Sequence, residues 1–528
     1  MYWWHHAADL TRRAKALRFG LITTNSLTQA FNRRVLEHHL NAQPPLALAY
    51  AIPDHPWVDA ASGAAVRIAM TVGQTGDAPG MLQTVVFEGG AEGDAVHIEL
   101  AEKTGRIHAD LSIGANVASA TALRANDGMC GMGVALHGSG FVLTPEVAAR
   151  LRTQGDSVIK PYLGGKDLLQ VSRERYLIDF SGMEHDEARQ TNPAAFQHVI
   201  DYVKPERDHN NRASIRELWW RFGWERPVLR KALLGLPRYI GTTETSKHRV
   251  FQFIDATVLS DHKVVCITLA DAFHLGVLSS IVHVVWSIAT GGKLGVGNDS
   301  VYNKSRCFDP FPFPAASPEQ QARIAALAEQ LDAHRKRQQA AHPELTLTGM
   351  YNVLARLRSG EPLTAKEKSI HEMGLVAVLR QFHDELDAAV LAAYGWSDLA
   401  ASATDTLLER LVALNLERAT EEAAGHIRWL RPDFQNPDAD QQRVQQRIAL
   451  PEATKPLAVT VSEKRPWPST LPEQVRAVAD ALTPSPQDEA ALAARFTGKG
   501  PWKKRLPEIL AMLEALGRAK RSEGGWVG

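Results

Sequence analysis

The pattern of apolar and polar residues near the start of the chain predicts strands and a helix in alternation. Residues 20–24 (GLITT) form a short apolar, β-rich run, and residues 27–40 carry apolar side chains at helical spacing. Two further apolar runs, residues 46–52 and 64–72, are typical of buried strands. Because no helix separates these last two strands, we expect them to pair antiparallel. The pattern therefore predicts an α/β sheet that ends in an antiparallel strand pair.

The rest of the chain changes character several times. Strand-like pieces recur up to residue 140, a mixture of strands and helices follows, and helical spacing dominates after a Pro- and Phe-rich stretch at residues 308–314. A Pro- and Gln-rich linker then precedes three short helices and a hairpin, which is the order found in a winged helix. These changes divide the chain into residues 1–140, 141–316, 317–430, 431–470 and 471–528.

Composition narrows the functional classes only slightly. The 528 residues are enough for about three domains of roughly 100–200 residues each. The 59 Lys and Arg residues balance 59 Asp and Glu residues, so a nucleic-acid partner has to be bound by local patches. Three widely separated cysteines indicate a reducing compartment, and the sequence contains no signal peptide and no run that is long and apolar enough to span a membrane. We therefore expect a cytoplasmic protein with no membrane partner and no bound metal.

The amino-acid sequence of the first 72 residues resembles that of a known enzyme family. MYWWHHAADLTRRAKALRFGLITTNSLTQAFNRRVLEHH, followed by AIPDHPWVDAASGAAVRIAMTV, resembles the second half of the catalytic domain of large N6-adenine DNA methyltransferases of bacterial restriction-modification and phage-defence systems. The resemblance continues through residues 140–314 and less sharply to the C-terminus. It implies a partial sheet of the S-adenosylmethionine-dependent methyltransferase fold, an α+β target-recognition domain and a mostly α-helical C-terminal region.

The same family needs two motifs that this sequence lacks. Neither an Asn/Asp-Pro-Pro-Phe/Tyr tetrapeptide, which holds the flipped adenine, nor a Gly-rich cofactor loop that opens a βαβ unit is present. The resemblance therefore implies a C-terminal part of such an enzyme, with no catalytic residue in this chain. We expect methyl transfer from S-adenosylmethionine to need the N-terminal half, in cis or as a separate subunit. The alternative is a non-enzymatic DNA-binding or specificity subunit of a restriction or defence complex.

Three places in the first segment are candidates for the vicinity of the cofactor and base pocket. Asn25 and Ser26 follow a predicted strand, and open α/β sheets bind ligands at the carboxyl ends of their strands. An N-cap role for Ser26 is the alternative. In the family, the aromatic start of the first helix lies near the same pocket, with plain packing as the alternative. The loop before the last strand would face the cofactor side of the sheet, with a structural role as the alternative. The candidates are Trp3, Asn25, Ser26, His55, Trp57 and Asp59.

Residues 141–316 hold the candidates for DNA contacts. KPYLGGKD at residues 160–167 resembles an Arg/Lys-Pro-Tyr-Leu-x-Gly-x-Asp element of the recognition domains, in which glycines allow close backbone approach and lysines contact phosphates. The resemblance also indicates a Lys-His-Arg run at residues 247–249, at the head of a strand, and a Gly-rich loop around Lys293. A plain glycine turn with solvated lysines is the alternative.

Positive charge is concentrated in residues 204–263. Twelve Lys and Arg residues stand there against seven Asp and Glu residues, a net charge of +5 (12 − 7) within a neutral chain. Arginines are interleaved with tryptophans between residues 216 and 226, which suits a DNA-facing surface or, alternatively, a tryptophan core covered by arginines. The predicted partner is double-stranded DNA. The candidate DNA-binding residues are Lys160, Lys166, Arg216, Arg221, Lys247, His248, Arg249 and Lys293.

Overall fold

The computed structural model of the chain divides into two compact units, Met1–Ala439 and Asp440–Gly528. The first unit contains the predicted α/β sheet, the mixed region and the long helices. The residues that the structure describes are 1–57, 66–89, 97–152, 157–294, 299–400, 402–437, 465–483, 486–498, 502–515, 518–522 and 525–527.

Five strands and two helices form the first part of the chain. Their bounds are α1 Tyr2–Arg12, β1 Arg18–Thr24, α2 Ala30–Leu40, β2 Leu46–Pro56, β3 Arg67–Thr75, β4 Gly80–Gly89 and β5 His97–Gly105. The sheet order is β1-β3-β2-β4-β5. β3 is antiparallel to both β1 and β2, whereas β4 is parallel to β2 and antiparallel to β5. The predicted antiparallel pairing of β2 and β3 is therefore confirmed, with β3 inserted between the two earlier strands.

Helix α1 packs along β3. Trp4 is 1% exposed, and its Nε1 donates to Thr71 Oγ1 at 3.1 Å. Further along the same strand, Thr75 Oγ1 donates to Thr11 O at 2.8 Å. Because both the helix and the strand run from the first contact to the second, α1 has the same direction as β3. Its N-terminus therefore points towards the end of the sheet where β1 and β2 finish.

Small sheets and short helices make up residues 130–301. The strands are β6 Cys130–Met132, β7 Val142–Leu143, β8 Ile159–Leu163, β9 Arg175–Ile178, β10 Arg238–Thr243, β11 Thr245–Ser246, β12 Gln252–Asp255, β13 Leu259–Ser260, β14 Val264–Ile267, β15 Gly292–Leu294 and β16 Asp299–Val301. The helices are α3 Pro145–Arg152, α4 Gly165–Leu169, α5 His185–Thr191, α6 Pro193–Tyr202, α7 Lys204–Asp208, α8 Ala213–Glu217, α9 Pro227–Leu233, α10 Ala272–Ser279 and α11 Ile281–Thr290. The sheet orders are β12-β10-β14-β6, β13-β8-β9-β7 and β11-β16-β15.

Strand β6 ties the segment before residue 141 to this mixed region. β6 pairs antiparallel with β14, so that Cys130 lies opposite Ile267. Thr268, the residue after β14, extends this pairing, because its N–H donates to Met129 O at 2.8 Å. Residues 129–132, which the sequence places in the first segment, therefore pack with the structure that follows the predicted boundary.

The helical region is α12 Pro318–Ala341, α13 Leu347–Ser359, α14 Ala365–Gly374, α15 Val376–Ala393, α16 Thr404–Ala423 and the short α17 Pro432–Gln435. The apolar residues 272–290 form two helices that are separated at Ser280, where α10 and α11 meet at a bend of 60°. Asp387 Oδ1 on α15 accepts from Ile281 N at 2.7 Å and so satisfies a donor that the break leaves free. Among the described residues, no single helix is long and apolar enough to cross a membrane, and only this bent pair together reaches that length and composition.

The second unit contains helices and a terminal hairpin. Its described elements are β17 Arg465–Pro466, α18 Leu471–Ala479, α19 Glu489–Ala494, β18 Phe496–Thr497, α20 Leu506–Ala515, β19 Lys520–Ser522 and β20 Gly525–Val527. Trp467 and Trp502 stack with their ring centroids 4.6 Å apart in the core of this unit. The elements follow the predicted order of three helices and a hairpin, and the winged-helix assignment itself stays a prediction. Most of the predicted linker, residues 438–464, lies outside the described residues.

Candidate nucleic-acid interface

The turn that follows β8 is built around one buried carboxylate. The side chain of Asp167 is 2% exposed and accepts from Arg173 Nε at 2.6 Å, from Arg175 Nη2 at 2.5 Å and from Gly164 N at 2.9 Å. Burial alone would raise the pKa of Asp167, but the hydrogen bonds from the two arginines outweigh it and lower the pKa. The ionised carboxylate therefore fixes the turn that carries Lys166.

Two glycines let this turn lie close to its neighbours. A Cβ at Gly165 would lie 3.0 Å from Lys263 Cβ, and a Cβ at Gly164 would lie 2.5 Å from Arg175 Nη2. A side chain at either position would push the turn away from the start of β14 or from the arginines that hold Asp167. The close backbone approach expected for these glycines is therefore present in the structure.

A cleft of about 720 Å³ lies between this turn, residues 243–248 and the start of α13. Its lining has more basic than acidic side chains and contains three of the predicted DNA contacts. The charged and titratable lining residues are Lys166, Arg173, Arg175, Lys247, His248, Lys263, Asp261 and Asp299.

Two of the lysines in the cleft have no acidic partner among the residues that the structure describes. The two lining arginines share the carboxylate of Asp167, and Lys263 Nζ pairs with Glu244 Oε2 at 2.8 Å. In the part of the chain that the structure describes, no salt bridge involves Lys166 or Lys247, and both side chains are exposed. Uncompensated ammonium groups on a concave surface are the feature that binds nucleic-acid phosphates.

A residue of the helical region holds one of these lysines and the adjacent histidine. Asn352 Oδ1 on α13 accepts from Lys247 Nζ at 2.9 Å and from His248 Nε2 at 2.8 Å. Burial lowers the pKa of His248, so its ring is neutral at pH 7 and donates from Nε2. His248 therefore helps to position Lys247 and adds no positive charge to the cleft.

Arg249, a predicted DNA contact, lies in the protein interior. It is 6% exposed, and its guanidinium donates to Thr243 O, to Ser300 O at 2.9 Å and to Ser300 Oγ at 3.0 Å. Its Cζ also lies 5.1 Å from the centroid of the Tyr302 ring. Arg249 therefore fastens the β15–β16 hairpin to the end of β10, and we leave it out of the DNA interface.

A second cationic feature lies beside the cleft, at Trp224. This tryptophan is 49% exposed, and the Cζ atoms of Arg226 and Arg212 lie 5.2 and 5.9 Å from its ring centroid. Residues 134–135 connect it to the cleft, because they pair with Trp224 on one side and with the lining residue Asp261 on the other. The backbone pairing therefore places an exposed aromatic ring flanked by two arginines close to the cleft lining.

The other predicted DNA contacts stay predictions. Lys160 is half-buried on β8, and Arg216 is exposed on α8. Arg221 donates to both carboxylate oxygens of Glu225, at 2.6 and 2.5 Å, so its charge is largely compensated. Lys293 lies on β15, and its side chain is outside the described part of the chain.

The candidates from the first sheet meet where β1 and β2 end. Thr24 and His55 are both register partners of Ile68 on β3, so the two strand ends are level. Asn25 Nδ2 donates to Asp54 Oδ1 at 3.1 Å across this gap. The structure therefore brings Asn25 and His55 to one edge of the sheet, as the sequence pattern predicts.

The remaining candidates of the first segment differ in their surroundings. Gln29, not Ser26, is the N-cap residue of α2, so the capping role considered for Ser26 does not apply to this helix. Trp3 and Trp57 are 73% and 50% exposed. Asp59 lies outside the described residues.

Comparison with known proteins identifies the region that contains the cleft. Residues 123–315 match the family model described as MmeI, target recognition domain. This stretch is therefore a target recognition domain, the class of module that gives an enzyme its DNA site. More particularly, it is a target recognition domain of the MmeI type, and the resemblance to restriction-modification enzymes predicted from the sequence is confirmed.

Solved structures show a related fold over much of the chain. A structure of the Type IIL restriction-modification enzyme MmeI in complex with DNA is 18% identical, with a TM-score of 0.59 over 79% of this chain and 52% of that one. The chain thus spans about half the length of that relative. The type IIG restriction endonuclease BpuSI is 9% identical, with a TM-score of 0.27 over 72% of this chain and 48% of that one, too low a score to support an argument. No curated protein sequence matches the chain.

Proposed function

We propose that the chain supplies DNA target recognition to a site-specific adenine-N6 DNA methyltransferase of a restriction-modification system. The observation that carries this proposal is the cleft. Lys166 and Lys247 line it without acidic partners among the described residues, and both lie inside residues 123–315, which match a target recognition domain. Lysines at such positions bind phosphates and set the register of the duplex without reading its sequence. We therefore place the DNA backbone along this cleft.

Groups beside the two lysines are suited to reading the bases. Arg173 and Arg175 line the cleft, and Asp167 fixes the orientation of their guanidinium groups. A fixed guanidinium can donate two parallel hydrogen bonds to the O6 and N7 edge of guanine. Trp224, which lies between two arginines, offers an exposed ring for contact with a base or a sugar. In this arrangement the lysines supply affinity, and the arginines and Trp224 supply specificity.

The first sheet supports a methyltransferase context. The order β1-β3-β2, with β3 antiparallel between two strands of equal direction, fits the partial methyltransferase sheet that the sequence resemblance implies. Asn25, Asp54 and His55 lie where those two strands end, which is the ligand-binding edge of α/β sheets. With the exposed Trp3 and Trp57, they would form one wall of the cofactor and base pocket. S-adenosylmethionine would supply the methyl group, and the residues that hold the flipped adenine would come from the N-terminal half.

The edge strand β1 is the surface on which we place that N-terminal half. β1 is the outermost strand of its sheet, and an outermost strand has backbone groups free to pair with another strand. Large apolar side chains on β1 and on the segments next to it in sequence are exposed to solvent. Their exposed fractions are 69% for Tyr2 and 73% for Trp3 on α1, 93% for Leu17 before β1, 57% for Ile22 on β1 and 81% for Phe31 on α2. Such surface normally binds a partner. In the proposed cytoplasmic enzyme, the N-terminal half covers it, in cis or as a separate subunit.

A charge on β1 is expected to prevent this association. Ile22→Lys would bury an ammonium group without a partner, so we expect the N-terminal half to bind at least ~100-fold more weakly, while duplex binding by the cleft is unchanged. Isothermal titration with the N-terminal half measures the effect. Val86→Lys on β4, where the native side chain is 62% exposed, is the matched control. Wild-type affinity in Ile22→Lys would rule out β1 as the docking edge.

Methyl transfer tests the proposed function itself. The chain is combined with the N-terminal half, duplex DNA and S-adenosylmethionine, and N6-methyladenine is quantified by mass spectrometry. We expect methylated adenine only when both halves are present and only within one sequence context. Methylation by this chain alone would contradict the placement of the catalytic groups in the other half. Sequence-specific binding without methylation in any combination would instead support a non-enzymatic specificity subunit.

A further inference from the structure

A second cavity, of about 200 Å³, lies between α11 and α13 and shares a wall with the DNA cleft. Lys247 and His248 line both cavities, and Asn352 bonds to both of these side chains. The volume is below the roughly 300–1,000 Å³ of sites for drug-sized ligands, so the cavity fits a single ring system. We call this cavity the rear pocket.

Apolar side chains and cations line different parts of the rear pocket. Ile281 and Val284 of α11 and Leu354 of α13 contribute apolar surface. Lys247 and Arg358 also line it, and both are exposed, so they lie where the pocket opens to solvent. A planar apolar ring with an anionic substituent matches this division.

Buried polar groups in the rear pocket have spare hydrogen-bonding capacity. Asp387 is 7% exposed; its Oδ1 accepts from Ile281 N, while its Oδ2 lies 3.8 Å from Arg358 Nη2, beyond hydrogen-bond distance. Arg358 Nη2 donates its hydrogen bond to Asp384 Oδ1 at 2.9 Å, and its contact with Asp387 is a longer ion pair. Ser279 is 5% exposed, and its Oγ has no partner among the described residues. Because buried polar groups are normally paired, the Ser279 hydroxyl, which has no partner among the described residues, indicates a ligand in this pocket, where the only contact of Asp387 Oδ2 among those residues is the 3.8 Å ion pair with Arg358.

We propose that the rear pocket binds a nucleobase that carries an exocyclic amino group. The amino group donates to Asp387 Oδ2, and a ring nitrogen accepts from Ser279 Oγ. The apolar side chains contact the ring, and Lys247 and Arg358 bind the phosphate at the open end. The base comes either from an extrahelical nucleotide of the bound DNA, which rests on the proposed function, or from a free nucleotide, which does not.

The protonation of Asp387 makes this binding pH-dependent. Burial raises the pKa of Asp387 to about 6, so the carboxyl accepts a hydrogen bond at pH 7.5 and is mostly protonated at pH 5. The other charged and titratable groups that line the pocket or pair with its charges are Arg358 and Tyr351 on α13, His383 and Asp384 on α15, and Lys247, His248 and Arg249 before β12. Burial lowers the pKa of His383 to about 3, so that this ring stays neutral throughout the range. Base binding is therefore expected to weaken as the pH falls through about 6.

Two probes separate the two sources of the base. For a free nucleotide, AMP is titrated into the full chain at pH 7.5, with IMP, which has a carbonyl in place of the amino group, as the matched ligand. For an extrahelical base, 2-aminopurine is placed at successive positions of a bound duplex, and its fluorescence rises where it leaves the stack. AMP binding at least ~10-fold tighter than IMP binding, or a rise at one duplex position, supports the rear pocket.

Three variants connect these signals to the pocket. Asp387→Asn keeps the oxygen that accepts from Ile281 N, and Ser279→Ala removes a hydroxyl that has no partner among the described residues, so we expect both to fold. Each should reduce the responding signal at least ~10-fold, since a buried polar partner of the base is lost. Glu385→Gln, two residues before Asp387 on α15 and outside the lining, is the matched control.

The rear-pocket proposal and the proposed function are overturned by different results. If neither probe responds in a chain that still binds duplex DNA, or if Asp387→Asn behaves as Glu385→Gln does, the rear-pocket proposal is overturned and the proposed function stands. If the chain binds no duplex DNA at all but binds AMP in preference to IMP, the proposed function is overturned and the rear pocket is a free-nucleotide site.

Discussion

Lys166→Glu combined with Lys247→Glu is expected to weaken duplex-DNA binding by at least ~100-fold at ~0.1 M salt. Both lysines are exposed, line one cleft and lack an acidic partner among the described residues. Each change removes one phosphate contact and adds a carboxylate that repels the same phosphate. The slope of log affinity against log salt should also fall by about two, since each phosphate contact contributes about 0.9.

Fluorescence anisotropy with a labelled duplex, repeated at several salt concentrations, measures both effects. The charge-matched control is Lys366→Glu with Lys368→Glu, because these lysines are exposed on α14 and do not line the cleft. We expect the control to change affinity by less than about threefold, because its charges lie farther from the DNA and are screened. Equal losses in the two double variants would show that net charge, not the cleft, governs binding.

Arg207→Met is expected to destabilise the recognition domain by roughly 3–5 kcal/mol. Arg207 is 0% exposed, and its guanidinium donates to His137 O at 3.1 Å, to Arg221 O at 2.6 Å, to Leu218 O at 3.3 Å and to Leu136 O. Burial lowers the pKa of Arg207 to about 10, so the group remains charged at neutral pH. Methionine fills a similar volume but leaves these carbonyl groups without a donor.

Urea unfolding of the full chain, followed by tryptophan fluorescence, measures this loss of stability. The matched control is Arg216→Met, which changes an exposed arginine of α8 and should cost less than about 0.5 kcal/mol. Because Arg207 joins residues 136–137 to residues 218–221, we also expect the environment of Trp224 to change in Arg207→Met. A loss of stability no larger than that of the control would contradict the role of Arg207.

Local patterns in the sequence predicted those features that depend on local physics. The apolar spacing of residues 20–72 was enough to predict the strands and the antiparallel pair, because burial on one face imposes a fixed period. The glycines of the turn after β8 and the neighbouring Lys166 were likewise found from a short motif. That turn is closed by Asp167 and Gly164, only three residues apart, so the information lies within one stretch of chain.

Features that depend on distant residues were not predictable in this way. Asp387 accepts a hydrogen bond from the backbone N–H of Ile281 that the break between α10 and α11 leaves free, and Asn352 accepts one from Lys247. In both pairs the two residues are about a hundred positions apart in the sequence. Arg249 was expected at the head of a strand, but the chain bends at residues 247–248 and β12 begins only at Gln252, so its side chain enters the interior. Alternating arginines and tryptophans also gave no means of telling the buried tryptophans from the exposed one.

The distinction among those tryptophans comes from tertiary packing. Trp219 and Trp220 are 9% and 6% exposed and pack with Phe196 and Phe222 in one core. These two residues therefore follow the alternative given for the pattern, a tryptophan core covered by arginines. Trp224 is instead paired with Ala135 at the surface and is flanked by arginines. One sequence pattern therefore contains both a core and a candidate DNA contact.

The most direct test of target recognition is selection from a random duplex library. The full chain is incubated with the library, bound duplexes are amplified over several rounds, and the pool is sequenced in parallel for the wild type and for Lys166→Glu with Lys247→Glu. We predict that the wild type enriches one short sequence and that the double variant enriches none. A wild-type pool that stays random, or a double variant that enriches the same sequence equally well, would contradict the account.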